Sequence, residues 1–329
     1  MNKPISRRSL LAATSAVAVG SMLPATAFAA PTKMKISGAF SDTDLRVQGY
    51  KAFAEALKGD IELETHWSNS LFKQGTELVA LQRGNLELCN LAPADISKQL
   101  PAWSLMTSAY LFRNYDHLKK TWASDVGKQF KDMAREKLGV EVIRPVYFGA
   151  RQINLKPDKQ IKTPADIAGI KLRMPPGEYW QFLGESLGAH PTPVAYAELY
   201  TALQTGVVDG QDNPLVAGRT MKFYEVTSQF VLTRHVLGYD MLTVAGKVWD
   251  GMSKDLQAKF RAAADTAFDA NAAEYDKQEA EAIEFFKSQG KKVYEPDQNA
   301  FREFAQKKYV ATYGKEWPQG AIEKINAIK

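Results

Sequence analysis

Two arginines and an asparagine, Arg151, Arg173 and Asn213, are the residues of this chain whose types and spacing most plainly offer a chemistry. Each is expected just past a strand, so a sheet could gather them on one rim. A guanidinium presents paired N–H donors in a planar fork that matches a carboxylate, and an asparagine amide can donate to a carboxylate oxygen. Such charge-assisted bonds contribute roughly 1.5–3 kcal/mol each, against about 0–1 kcal/mol for an arginine in an exposed ion pair. The stretch 169–214 delivers two of the three: a short strand ending at Arg173, a helix behind Pro175-Pro176, a second helix stopped by Gly206, and a strand before Asp212-Asn213-Pro214. In open α/β sheets the carboxyl ends of strands are where ligands bind. Tyr179 and Trp180, in the first of these helices, are expected on the pocket wall, and Phe182 in helix packing.

Bond-making groups do not accompany these residues. No nucleophile–base pair lies beside the arginines, and His66, His117, His190 and His235 are scattered, with no pair at metal-ligand spacing. Cys89 is the only cysteine, which excludes an intrachain disulfide, a thiolate zinc site and an iron–sulfur cluster, since each needs several. The pattern suits holding an anionic small molecule rather than transforming it, so no catalytic residue, cofactor or metal is expected.

The chain opens with an export signal. Ser6-Arg7-Arg8-Ser9-Leu10-Leu11 precedes an apolar stretch to about Leu23, and Ala27-Phe28-Ala29 gives small residues at a cleavage site. That order defines a secretory peptide, and the paired arginines point to twin-arginine export. The apolar stretch is too short and too interrupted for a membrane span, which needs roughly 20 residues. Loss of residues 1–29 removes Lys3, Arg7 and Arg8 and no acid, lowering the net charge from +5 to +2. The basic balance is therefore partly a property of the signal and implies no nucleic-acid partner. About 300 residues remain, enough for two domains with separate cores.

The elements that must position the site follow from periodicity. Strands are expected at 34–40, 61–67 and 86–91, separated by helices at 44–58 and 76–82, which implies a parallel sheet. Pro93 opens a further helix, 100–122 reads as an aromatic-rich loop, and 125–138 as a helix stopped by Gly139, followed by a strand at 140–147 that runs into Phe148-Gly149-Ala150-Arg151. The polar stretch 154–164 is the best linker candidate. A second α/β unit has strands at 170–174 and 207–211 and helices at 178–187 and 197–205. In its first strand Ile170, Leu172 and Met174 share one face and Arg173 the other, so Arg173 is not expected in the core. Residues 253–289 contain neither Gly nor Pro and begin with the N-cap candidate Ser253. The apolar stripe breaks at Glu279, and the stretch predicts a long helix lying across both domains, kinked or divided somewhere along its length. A strand at 292–294 and a last helix from Gln298 complete the chain.

The blocks FKQGTELVALQRGNLEL (72–88), SAYLFRNYDHLKK (108–120), FGARQINLKPDKQIKTPADIAGIKLRMP (148–175), LGAHPTPVAYAELYTALQTGVVDGQDNP (187–214) and KFYEVTSQFVLTRH (222–235) resemble the solute receptors of tripartite ATP-independent periplasmic (TRAP) transporters, of the DctP-like dicarboxylate-receptor type. The resemblance covers most of the mature chain. It implies a two-lobed α/β periplasmic binding fold, the lobes joined by crossing strands and braced by a long helix. It also implies a discontinuous division, 30–148 with about 239–278 in one lobe and 149–238 with about 279–329 in the other. Arg173 matches the family arginine that pairs with the ligand carboxylate, Arg151 an assisting arginine, Asn213 the neighbouring asparagine, and Glu77 a first-lobe acid that reaches the pocket in some members.

The function so implied is capture of an organic acid in the periplasm by lobe closure and its delivery to membrane permease subunits. A receptor feeding a sensor, or an exported enzyme whose cofactor accounts for the twin-arginine signal, are the alternatives. The sequence departs from commoner members in Pro175-Pro176-Gly177-Glu178-Tyr179-Trp180, where smaller polar residues are frequent. The departure puts a C4-dicarboxylate in doubt and favours a bulkier or more apolar acid.

Overall fold

Strands and helices alternate from the start of the region that the structure, a computed structural model, describes: residues 31–329, which form one compact unit. The expected export signal lies outside the described residues. Strands β1 (Thr32–Ser37), β2 (Ile61–His66) and β3 (Leu88–Leu91) are linked by helices α1 (Arg46–Ala56) and α2 (Glu77–Gln82). β1 pairs in parallel with both β2 and β3, as strand–helix–strand crossovers require. Helix α3 (Pro93–Ser97) follows, then a 3-10 segment Pro101–Thr107 and helices α4 (Tyr115–Ala123) and α5 (Asp125–Leu138). α5 ends at Gly139, whose φ of +67° suits a residue without Cβ.

Two long strands then carry the chain across the molecule. β4 (Val140–Leu155) and β8 (Gln229–Ala245) have 16 and 17 residues and pair antiparallel over most of their length. Between them in sequence lie β5 (Lys171–Met174), α6 (Glu178–Ser186), β6 (His190–Pro193), α7 (Leu199–Thr205), β7 (Gly210–Pro214) and α8 (Leu215–Thr220). After β8 come α9 (Gly246–Gly251), α10 (Lys254–Ser288), β9 (Lys292–Tyr294), α11 (Gln298–Tyr313) and α12 (Ala321–Ala327). The sheet runs β2-β1-β3-β8-β4-β7-β5-β6, with β9 also on β8. Parallel trios β2-β1-β3 and β7-β5-β6 thus flank the antiparallel β8-β4 pair.

Separate apolar clusters serve the two ends of this sheet. Met34, Ile36, Phe53, Phe260 and Phe268 pack together at the β1 end, and Ile153, Leu172, Leu183 and Phe301 at the β5 end. Helix α10 reaches from one to the other. Ser253 Oγ accepts the Leu256 N–H at its start, its first half buries Phe260, Ala264 and Phe268, and its last turns bury Ala282 and Phe286. Phe286 stacks on Phe230 of β8 with ring centroids 3.9 Å apart.

Several expectations are corrected. The long helix is undivided: its 35 residues span about 52 Å, and Glu279 interrupts the apolar stripe without interrupting the backbone. The expected loop at 100–122 holds the 3-10 segment and all but the last residue of α4. Asn114 caps α4 through the His117 N–H, and polar His117 and Thr121 are buried beside Leu118 and Trp122, so half of the buried face did not read as apolar. The linker candidate begins inside β4, where Asn154 is buried and its amide donates to Thr227 Oγ1 and the Gln229 carbonyl. β7 lies three residues later than expected, because Val207 is exposed while Gly210 packs against β4, where a Cβ would come within 2.4 Å of Leu155.

The Phe286 contact secures the far end of α10. Phe286→Ala should cost about 3–5 kcal/mol of unfolding free energy, the range for a buried phenylalanine. Urea unfolding should show a lowered midpoint at unchanged slope; an unaltered midpoint would mean that the last turns of α10 contribute little.

Candidate functional site

β4, β5 and β7 each deliver one of the sequence-predicted polar residues to a single cavity. Arg151, Arg173 and Asn213 all line it, together with Trp180 of α6 and Glu77 of α2. Its volume is about 70 Å³. All three lie within strands and not past their ends: Arg151 is in β4, Arg173 in β5 and Asn213 in β7. β7 stands between β4 and β5, which is what brings residues so far apart in sequence together.

Arg173 is 1% exposed, so the alternation that kept it from the apolar core did not leave it in water. Its Nε donates to the Val194 carbonyl at 2.8 Å, and its Nη2 has no hydrogen-bond partner among the described residues. Burial pulls its pKa down to about 10, with Asp212 opposing and Arg151 adding to the effect. The group is therefore still a cation at neutral pH.

Arg151 is differently committed. Its Nε and Nη2 hold the two oxygens of buried Asp212 at 2.6 and 2.8 Å, and Nη2 also donates to the Asp212 carbonyl. The expected second fork for a carboxylate is thus already occupied by the protein. Trp180 lies over this guanidinium, its ring centroid 4.9 Å from Cζ. Behind the pair, His235 Nε2 stands 3.1 Å from Asp212 and Nδ1 2.8 Å from Thr233 Oγ1. Burial lowers the His235 pKa despite the hydrogen bond to Asp212. A neutral ring satisfies both contacts, with Nε2–H donating to Asp212 and Nδ1 accepting from Thr233. Burial alone would raise the Asp212 carboxyl, but Arg151 and His235 hold it far below the usual range. Asn213 donates to Gln211 Oε1 at 2.5 Å, and its second amide hydrogen is uncommitted among the described residues.

The opposite wall comes from the β1 end of the sheet and is rich in carboxyls. Glu77 opens α2, where its Oε2 accepts the Gly75 N–H at 2.6 Å, so it is both a helix-terminal acid and a cavity residue. Burial, then the neighbouring Asp95, raises its pKa to about 7. Asp240 of β8 is raised to about 6 by burial, against the pull of Arg46 and Asn90. Arg46 uses Nε and Nη2 on Asp44 and Nη1 on Asp240, all at 2.9 Å. Its guanidinium lies 4.0 Å from the Phe40 ring and 4.1 Å from the Phe148 ring.

Tyr179 is not among the cavity's lining residues. One position before Trp180 on a helix, it points about 100° away and packs on Tyr313 at 5.1 Å between centroids. Phe182 packs on Tyr309 and Tyr313, as expected. Sequence reasoning missed Arg46, Asp95, Tyr196 and Asp240, which also line the cavity, and Asp212 behind it. Asp240 had a readable signal, a lone acid in the apolar run VLGYDMLTV. Asp212 was hidden because Asp-Asn-Pro reads as a turn.

Comparison with known proteins places this fold. The profile of the DctP family, bacterial extracellular solute-binding protein family 7, matches residues 41–316. The sialic acid-binding periplasmic protein SiaP of Vibrio cholerae is 29% identical over 297 residues, 89% of this chain and 92% of that protein. A solute-binding protein of Roseobacter denitrificans is 30% identical over 303 residues, 91% of this chain and 92% of its own length. A TRAP periplasmic solute-binding protein of R. denitrificans, solved with bound 3-deoxy-D-manno-oct-2-ulosonic acid, superposes with a TM-score of 0.89 at 37% identity, covering 91% of this chain and all of that one. Another from R. denitrificans, with bound L-galactonate, gives 0.82 at 27% identity, covering 91% and 99%. The chain belongs to the DctP family and is a periplasmic solute receptor of the TRAP type, with the two-lobed fold of its relatives. No helix among the described residues is long and apolar enough to cross a membrane.

Two outcomes follow from the site's electrostatics. Asp212→Ala leaves Arg151 buried without its counter-ion, which should cost about 3–5 kcal/mol in urea unfolding; a change below about 1 kcal/mol would show that water replaces the carboxylate. Glu77 and Asp240 bind a proton more tightly in the folded chain than in the unfolded one. Their contribution is therefore full below the unfolded carboxyl pKa of about 4 and is lost as pH rises through about 6 to 7. His235, shifted down, acts in the opposite sense. The melting temperature of Glu77→Gln/Asp240→Asn should consequently fall less, or rise more, than that of the unaltered ligand-free chain between about pH 5 and 8. Parallel profiles would rule out the raised carboxyls.

Proposed function

We propose that this chain is the extracytoplasmic receptor of a TRAP transporter for a polyhydroxylated carboxylate, a sugar acid, which it delivers to membrane permease subunits without changing a bond in it. The observation that carries the reading is Arg173: a buried cation on the cavity wall whose Nη2 lacks a partner among the described residues. A ligand carboxylate would supply the missing counter-charge, assisted by the free amide hydrogen of Asn213 and, through Nη1, by Arg151. Trp180 would close one side of the pocket.

The facing wall favours the substrate class. Asp240, Glu77 and Asp95 line it, and carboxyls accept hydrogen bonds from hydroxyl groups while repelling a second carboxylate. A sugar acid meets both walls and a C4-dicarboxylate does not. The acids bound by the two R. denitrificans structures agree with this choice. Lobe one comprises 30–148 with about 239–278, lobe two 149–238 with about 279–329, and residues from both line the cavity. Closure around the acid follows because it touches both walls only in the closed state, and differential affinity shifts the population.

The test is thermal stabilisation of the mature chain by 3-deoxy-D-manno-oct-2-ulosonic acid and L-galactonate, set against their amides and succinate. Ligand that binds only the folded state raises the melting temperature. Stabilisation by a sugar acid and not by its amide is expected; the same shift from amide and acid would remove Arg173 from its role. Arg173→Ala should weaken binding about 100-fold or more, the equivalent of two lost charge-assisted bonds. Arg173→Lys should also weaken it, since a point charge cannot replace a fork. Near-native affinity in a folded Arg173→Ala variant would refute the assignment.

A further inference from the structure

Helix α10 carries a half-buried carboxyl, Glu279, that lies outside the cavity. Glu279 sits where the helix crosses β4, and its Oε1 accepts the Ala150 backbone N–H at 2.9 Å. That N–H belongs to an irregularity: the register of β4 on β8 shifts between Tyr147 and Ala150. Gly149 in the middle has φ +99°, a conformation L-residues rarely adopt. The site is tightly enclosed. A Cβ on Gly149 would come within 2.8 Å of Glu279 Oε1 and 2.9 Å of Pro214, and one on Gly238 within 2.7 Å of the Gly149 carbonyl oxygen.

A bulge re-aims the side chains around it, and here those side chains are cavity residues. Phe148, immediately before Gly149, lies on the Arg46 guanidinium. Arg151, two residues after Gly149, holds Asp212 and faces Trp180. Both line the cavity. Helix α10 is braced against the ends of the sheet on either side, so its carboxyl is a fixed point against which the bulge can rest.

We propose that Glu279 is a positioning residue of the binding cavity: by accepting the Ala150 N–H it holds the β4 bulge in the geometry that places Phe148 and Arg151 in the wall. The ligand arm of its test rests on the receptor reading above; the backbone arm does not. The carboxyl is surrounded by Asp276 one turn earlier on α10, by Tyr147, whose hydroxyl donates to Asp276, and by Arg234. Burial raises its pKa to about 7, and a carbonyl oxygen is available to Ala150 in either protonation state. Glutamine is therefore the conservative replacement, and methionine keeps the length while removing the acceptor.

In the mature chain, Glu279→Met should speed hydrogen exchange of the Ala150 amide about tenfold or more relative to unaltered strand positions. It should also move the NMR signal of the Arg151 Nε–H, which reports the bond to Asp212. Affinity for 3-deoxy-D-manno-oct-2-ulosonic acid, measured by calorimetry, should fall about tenfold, one charge-assisted contact's worth, and Glu279→Gln should restore all three readouts. Faster exchange at Ala150 with an unmoved Arg151 signal would overturn the proposal, leaving Glu279 a purely local support. If Glu279→Met fails to fold, Gly149→Ala drives a Cβ against the same carboxyl and must shift the Arg151 signal; an unshifted signal overturns the proposal equally. Failure of the unaltered chain to bind the acid would count against the substrate assignment alone, with exchange and the Arg151 signal still deciding the role of Glu279.

Discussion

The pairing of β4 with β8 is the constraint on which the rest of the structure depends. These two strands supply Phe148, Arg151 and Asp240 to the cavity and His235 behind it, and the two parallel trios of the sheet attach to their outer edges. Side chains alternate across a strand, so a slip of one residue would turn Arg151 away from the cavity. The register is not uniform: it shifts at three places, two of them flanking Ala150 and Arg151. Regular pairing at either end fixes the two halves of the sheet, and the irregular middle aims the polar side chains. A site at the centre of two long strands needs such a departure, because an unbroken ladder would send alternate residues to opposite faces.

Three arginines line the cavity, and they differ in what the protein has already done with their charge. Arg46 holds two aspartates and lies between two rings; Arg151 holds one aspartate with two of its three nitrogens; Arg173 holds a single neutral carbonyl. Taking an ion out of water costs several kcal/mol whatever its later partners. For Arg46 and Arg151 buried carboxylates offset that cost within the chain. For Arg173 the offset has to come from elsewhere, and this is the physical reason to assign it, ahead of the other two, to a ligand anion. The Arg151–Asp212–His235 arrangement then has a structural meaning: it immobilises a guanidinium edge beside Arg173 without adding a second free charge.

The sequence was legible where local rules and burial agree. The β1–α1–β2–α2–β3 succession, the Gly139 stop of α5 and the Ser253 cap of α10 were all readable, because each apolar stripe faces a core and each terminal residue does a local job. It misled where polar residues are buried for tertiary reasons. His117 and Thr121 hid the face of α4, Asp212 and Asn213 disguised part of β7 as a turn, and Asn154 made the end of β4 resemble a linker. Glu279 breaks the apolar stripe of α10 because it is one of the points at which the helix bonds to β4. The site was half readable for the same reason. Arg173, Arg151, Asn213, Trp180 and Glu77 reach one cavity, while the division of labour between the arginines depends on carboxylates distant in sequence. No spacing rule connects Arg46 with Asp240.

Selectivity in such a cavity arises as a difference between ligands and not from the arginine alone. On the proposed reading any carboxylate can answer Arg173. The second wall separates them, because Asp240 and Glu77 sit in surroundings that already oppose their ionisation. A second ligand carboxylate placed there would add to an unfavourable field and would have to be accompanied by a proton. On the proposed reading a hydroxyl chain meets the same groups as donors to carboxyl oxygens. The raised carboxyls would therefore act against one class of acid while serving another. On the proposed reading, discrimination needs no change at Arg173: it resides in the burial that raises the Glu77 and Asp240 pKa values.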